Sequence, residues 1–278
     1  MTQCLSLGYS PCPNDTYIFY ALTHNKITVP GYRIAERLED VETLNQLALG
    51  GLLDLTKISY HAFGHLRDRY ALLHSGSALG RGCGPLVIAP SMTGMKNLRG
   101  KRIAVPGKLT TANLLLQLYG TGFEDLLVMP FDQIIPALKR GDAEAGVIIH
   151  ESRFTYQQAG FHEVLDLGAW WEEESGLPIP LGGILARRDL GVKTVQDVDR
   201  AIRASLEYAR QHPQEPRAYI KGHAQELDGQ VIDAHINLYV NNFSLELGDD
   251  GVAAVKTLLG RAEKRGLIPK STEPLFIR

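Results

Sequence analysis

The side chains able to do chemistry in this sequence gather in a few short stretches. In "DLTKISYH", Lys57 precedes Ser59 by two residues, so on an extended strand both point to one face. An ammonium that neutralises a carboxylate, beside a hydroxyl that donates to it, makes a carboxylate-binding pair. In "PGKLTTANLLL" a Pro-Gly turn enters an apolar-periodic run, so the Thr111 hydroxyl and the N–H groups of Thr111 and Ala112 are placed to meet an anion. Thr110 or Thr111 serves equally well as a plain helix cap. With no Walker loop or dinucleotide fingerprint in the sequence, the anion reads as a carboxylate and not a phosphate. In "AGVIIHESRFTY", His150 ends an apolar run, where a neutral imidazole with an ordinary pKa of about 6.5 can accept a proton. A hydrogen-bonded structural histidine has the same appearance, and Glu151 and Arg153 fit an orienting role or an ordinary ion pair. The elbow "SPCPNDTYIFYAL" carries Asn14 and Asp15 at another helix start facing an unknown group. His61 and His65 have helical metal-ligand spacing but lack an accompanying Glu or third ligand, so no metal site is predicted.

These stretches need elements to hold them. Apolar runs of strand length alternate with amphipathic stretches of helical length, which predicts an α/β fold. Strands are read over 3–9, 32–38 and 54–59 with helices over 15–23 and 41–50. The pattern then restarts, with strands over 101–107, 125–131 and 144–150 and helices over 110–120 and 133–140. Leu47 and Leu138, Gly50 and Gly141, and Ser59 and His150 each stand 91 positions apart, so the architecture is duplicated although residue identity is weak. Ligands collect outside the carboxyl ends of such strands, so two facing units form one cleft. The Pro/Gly-marked runs 83–90 and 177–189 read as crossings between units. The predicted shape is two lobes joined by a two-stranded hinge, similar to the type II periplasmic-binding-protein fold. Lobe 1 spans 1–87 and 183–278, with the helical periods of 194–265 packed back on it, and lobe 2 spans 88–182. "GSALGRGCGPL" reads as a cleft-side turn, Trp170 and Trp171 as a cleft wall or interdomain packing, and "EEE" (172–174) as a solvated face.

Composition narrows the class of partner. The chain has 278 residues, 44% hydrophobic, enough for two cores. With 29 basic against 31 acidic residues and a net charge of -2, no nucleic-acid partner is expected. No apolar run approaches the roughly 20 residues of a membrane span, so no membrane partner is expected. "MTQCLSLGYS" has neither the charge nor the apolar run of a secretion signal, which predicts a cytoplasmic protein. Cys4, Cys12 and Cys83 lack metal-type spacing and read as thiols.

In this order, "SPCPNDTYIFYAL", "TKISYHA", the "TTA" elbow, "GVIIHESRFTY" and "LGAWWEEESGLPIPLGGILARRDLG" resemble the 1,4-dihydroxy-6-naphthoate synthase family of the futalosine route to menaquinone. The resemblance extends over nearly the whole chain. It implies a carbon–carbon lyase that acts on cyclic dehypoxanthinyl futalosine and releases 1,4-dihydroxy-6-naphthoate and dihydroxyacetone without a metal or organic cofactor. Lys57, Ser59, Thr111 and Ala112 would then bind the small-molecule carboxylate, and His150 would be the general base. Asn14 and Asp15 would line the opposite wall and hold the substrate's polar edge. Two alternatives stay open: a non-catalytic carboxylate-binding protein of the same shape, and chorismate dehydratase of the same route. The sequence leaves the oligomeric state open.

Overall fold

The computed structural model describes residues 3–225 and 228–277. The first stretch of chain forms β1 (Gln3–Tyr9), α1 (Pro13–Thr23), β2 (Tyr32–Leu38), α2 (Val41–Leu49), β3 (Leu55–Ser59), α3 (Tyr60–Gly64), β4 (Tyr70–Leu72) and β5 (Ala78–Gly80). The next forms β6 (Leu86–Ala89), β7 (Ile103–Val105), α4 (Thr111–Tyr119), β8 (Leu126–Val128), α5 (Ile134–Arg140), β9 (Ala145–Ile148), α6 (Ser152–Thr155), β10 (His162–Asp166) and α7 (Leu167–Ser175). The chain then returns through β11 (Ile179–Arg187) to α8 (Val192–Gln211), α9 (Arg217–His223), α10 (Gly229–Tyr239), α11 (Asn242–Leu245) and α12 (Gly248–Lys264).

The duplicated pattern of the sequence becomes a duplicated strand order. The first sheet runs β2-β1-β3-β11-β4, with β5 also paired to β11, and the second runs β8-β7-β9-β6-β10. In each, the first strand of the unit lies parallel between its second and third. The third strand then pairs antiparallel with a strand entering from the other side of the unit boundary, β11 on β3 and β6 on β9. Strands β3, β6 and β9 are buried at every position, as expected of strands covered by helices on both faces. The short β4, β5 and β10 were not legible in the sequence, and β5 lies inside the run read as a turn. Chain passage between the sheets falls between Gly80 and Leu86 and again between Asp166 and Ile179.

Helix α8 packs along α1, where the buried Ser205 hydroxyl donates to Ile18 O at 2.6 Å and accepts from Leu22 N at 3.2 Å. Helix α12 reaches the second unit as well as the first. Arg261 donates to Glu174 O at 3.0 Å and lies 5.0 Å from the Trp171 ring centre, and Arg265 donates to Gln117 O at 3.1 Å. Trp171 is fully buried with its Nε1 donating to Pro178 O, and so serves packing. Glu172, read as solvated, accepts from Gly82 N at 2.8 Å. Among the described residues no helix is long and apolar enough to cross a membrane.

Candidate active site

A cavity opens at the carboxyl ends of β3 and β9 and the two strand-to-helix elbows. Asn14, Asp15, Lys57, Ser59, Thr111, Ala112 and His150 all line it; Trp170 and Trp171 do not.

The first elbow enters α1 with Pro13 at a position where no N–H is needed. Behind it the Asp15 carboxylate accepts from Ser10 Oγ (2.7 Å), Ser10 N (3.2 Å) and Asn14 Nδ2 (2.7 Å). Its Oδ1 also stands 2.5 Å from Lys57 Nζ, with the two side chains 6% and 5% exposed. That contact is an ion pair, and among the described residues the buried Nζ has no other partner. Asn14 Oδ1 accepts from His235 Nε2 at 3.0 Å. Asn14 and Asp15 line the cavity, and within the protein both oxygens of Asp15 and both ends of the Asn14 amide already have partners. The Asp15 N–H donates to Cys12 O at 3.0 Å. What this elbow faces is Lys57.

Lys57 and Ser59 share the cavity face, as their spacing predicts. Ser59 N donates to Asn45 Oδ1 (3.1 Å) and its Oγ accepts from Asn45 Nδ2 (3.4 Å), which leaves the hydroxyl hydrogen free to donate. In the second elbow the cap is Thr110, whose Oγ1 accepts from Asn113 N and donates to Gly107 O. The Thr111 hydroxyl, expected to face an anion, donates instead to Leu181 O on β11 at 2.5 Å and accepts from His61 N. The first intrahelical bond of α4 is Leu114 N to Thr110 O, so the N–H groups of Thr111 and Ala112 precede the ladder and stay available. Glu42 from α2 clasps this elbow, accepting from Leu109 N at 3.1 Å.

His150 follows β9 in a left-handed conformation, φ 56°, which few non-glycine residues adopt. Its Nδ1 lies 3.5 Å from Cys12 Sγ, its ring meets Phe131 edge-on at 4.8 Å, and it lies nearly parallel to the His235 ring at 6.1 Å. Burial holds its pKa below 6.5, opposed by Glu151 and Asp15, so the imidazole is neutral at pH 7. Burial likewise raises the Cys12 thiol well above its ordinary value. Arg153 pairs with Asp166 at 2.6 Å, not with Glu151, whose buried Oε2 has no hydrogen-bond partner among the described residues. Cys12, His150 and Glu151 offer donor atoms within 4.8 Å of one another and form the one cluster among the described residues that could hold a metal. His61 is no ligand: its Nδ1 donates to Thr110 O at 3.2 Å, and burial pulls its pKa down to about 4.

His235 and Tyr239 of α10 also line the cavity and were missed in the sequence. The available signal was their spacing of four on one helix face, inside a segment read only for its period.

Two α/β units of one strand order around such a cavity define a periplasmic-binding-protein-like fold. The alkanesulfonate-binding protein SsuA from Xanthomonas axonopodis pv. citri, bound to MOPS, has this fold with a TM-score of 0.69 at 17% identity, covering 96% of this chain and 94% of that one. A crystal structure of a protein from Archaeoglobus fulgidus matches with a TM-score of 0.89 at 39% identity, covering 95% of this chain and 98% of that one. Residues 5–264 match a family model described as menaquinone biosynthesis, and the chain belongs to that family. Relatives named 1,4-dihydroxy-6-naphtoate synthase come from Thermus thermophilus, 54% identical over 99% of this chain and 100% of the relative, and Streptomyces coelicolor, 46% identical over 95% of each.

Proposed function

We propose that this chain is a carbon–carbon lyase converting cyclic dehypoxanthinyl futalosine to 1,4-dihydroxy-6-naphthoate and dihydroxyacetone. The observation that carries the reading is one cavity holding a neutral imidazole, His150, together with the Lys57 ammonium, the Ser59 hydroxyl and the helix-start N–H groups of Thr111 and Ala112. The substrate carboxylate is received by the Thr111 and Ala112 N–H groups, and Lys57 and Ser59 donate to its other oxygens. In this reading His150 Nδ1–H points to the Cys12 sulfur, leaving Nε2 with the lone pair. Nε2 takes a hydroxyl proton from the sugar-derived ring. With the cyclic hemiacetal opened, the alkoxide on the ring carbon collapses to a ring carbonyl as the C–C bond breaks, and the electron pair passes to the departing three-carbon unit as its enediolate. The imidazolium protonates that unit to dihydroxyacetone while the ring carbonyl tautomerises to the naphthol. Aromatisation drives the release of the three-carbon fragment, and the sequence is redox-neutral.

Incubation of the purified protein with the cyclic substrate, and separately with chorismate, tests the reading. Naphthoate is expected from the first and no change in the second. A positioned general base is worth about 10²–10⁴-fold, so His150→Asn should bind substrate and lose about that much in kcat. Substrate bound but unchanged by the wild type, consumption of chorismate alone, or near-wild-type turnover by His150→Asn would each refute it.

A further inference from the structure

His235 takes no part in the steps above, yet it is a fully buried imidazole in the cavity wall. Its two nitrogens are unequal. Nε2 lies 3.0 Å from Asn14 Oδ1, and the Asn14 amide cannot be turned over, because its Nδ2 donates to Asp15 Oδ1 at 2.7 Å and a flip would set oxygen against carboxylate. Asn14 Oδ1 is therefore the acceptor and His235 Nε2 carries the hydrogen. Burial, with His150 and Lys57 adjacent, keeps the ring neutral, so Nδ1 holds a lone pair. That lone pair is buried and has no hydrogen-bond partner among the described residues, a condition that native structures seldom leave unanswered.

We propose that His235 Nδ1 accepts a hydrogen bond from a ligand hydroxyl, making His235 a substrate-binding residue whose tautomer is set by the Asp15–Asn14 relay. The rest of the wall supplies donors suited to a carboxylate: Lys57 Nζ, the Ser59 hydroxyl and the N–H groups of Thr111 and Ala112. An acceptor that stays unprotonated is suited to the opposite kind of group, so the cavity fits a polyhydroxylated carboxylic acid. The near-parallel imidazoles 6.1 Å apart then divide the work, His150 exchanging a proton and His235 holding a hydroxyl without exchanging one. The inference rests on the proposed lyase reading for the identity of the ligand.

The test uses the full-length enzyme with cyclic dehypoxanthinyl futalosine. His235→Leu removes the acceptor, and His235→Asn returns an amide oxygen near the position of Nδ1. One neutral buried hydrogen bond is worth about ten-fold, so His235→Leu should raise KM, and the dissociation constant measured on His150→Asn, about ten-fold. His235→Asn should recover most of that, and the pH profile of kcat should not move. In the wild type, ¹⁵N NMR should show an unprotonated His235 Nδ1 that shifts on saturation with ligand. An unchanged KM in folded His235→Leu, or an Nδ1 resonance that ligand does not move, overturns the proposal. The NMR measurement decides alone if the leucine variant does not fold. A wild type that binds the cyclic compound without turning it over refutes the lyase reading instead, and the same NMR shift still judges His235.

Discussion

Replacing Asp15 by asparagine asks whether the first elbow exists to mount Lys57. The ammonium and carboxylate stand 2.5 Å apart with 5% and 6% of their side chains exposed, so solvent cannot replace the lost charge. Asparagine preserves shape and can still accept from Ser10 Oγ, but it leaves Lys57 charged and uncompensated. Removing one partner of a buried pair costs about 3–5 kcal/mol, against about 5–15 kcal/mol for the whole stability of a typical domain. The weakened bonds from Ser10 and Asn14 belong to the same network and do not add independently. Lys57→Met in the Asp15→Asn background removes the orphaned charge and should recover most of the loss, because an apolar replacement of a buried pair is near neutral. Urea denaturation of both single variants and the double variant measures this. Saturating naphthoate adds a second readout: its carboxylate should stabilise Asp15→Asn more than the wild type, since the variant's ammonium lacks a counter-charge. A loss below about 1 kcal/mol, the level of an exposed pair, or single losses that simply add in the double variant, would refute the assignment.

Because burial lowers the pKa of His150, kcat/KM should be level above pH 6.5 and fall with a single acid limb whose midpoint lies below that value; a midpoint above 7 in the rate profile would contradict a neutral buried base. His61 has a folded pKa of about 4 against 6.5 unfolded, so the unfolded chain binds the proton first, and its stabilising contribution is complete above pH 6.5 and lost as pH falls through 4. That window corresponds to about 3 kcal/mol; His61→Asn, which keeps a donor for Thr110 O, should lose correspondingly less stability between pH 7 and 4 in denaturant titrations. Gly107 has φ 148°, and a Cβ there would come within 2.6–2.8 Å of Glu42, so Gly107→Ala should cost about 1–3 kcal/mol of stability and raise KM by loosening the clasp on Leu109, measurable by melting and steady-state kinetics.

What was legible in the sequence is what short-range physics dictates. Lys57 and Ser59 share a face because strand period is two, and the elbows announce themselves through proline, glycine and cap residues within a few positions. Partner choice was not legible. Whether Lys57 meets a ligand or Asp15 depends on β1 lying beside β3, with Leu7 opposite Leu55 and Gly8 opposite Thr56, and strand register across an intervening helix leaves no local mark. His235 is 221 positions from the Asn14 it bonds, and a histidine on the buried side of an amphipathic helix looks like core. Strands of three residues, such as β4 and β5, are too short to show alternation.

The duplicated architecture makes the difference between the two elbows informative. Each delivers a helix start to the cavity, and each is by geometry an anion site. The first carries its own anion: Asp15 lies in the first turn of α1, already bonded to Ser10 and Asn14 and paired with Lys57. The second has no acidic residue in the first turn of α4, and its Thr111 hydroxyl is turned away to β11. A ligand carboxylate entering the cavity therefore finds one helix start already occupied by Asp15 and open N–H groups at the other. On the lyase reading, that asymmetry orients the substrate, with its carboxylate at Thr111 and Ala112 and its hydroxylated ring toward His150 and His235. Moving an acid to the second elbow, as in Ala112→Asp, should abolish carboxylate binding at a position where the chain's fold has no use for the charge.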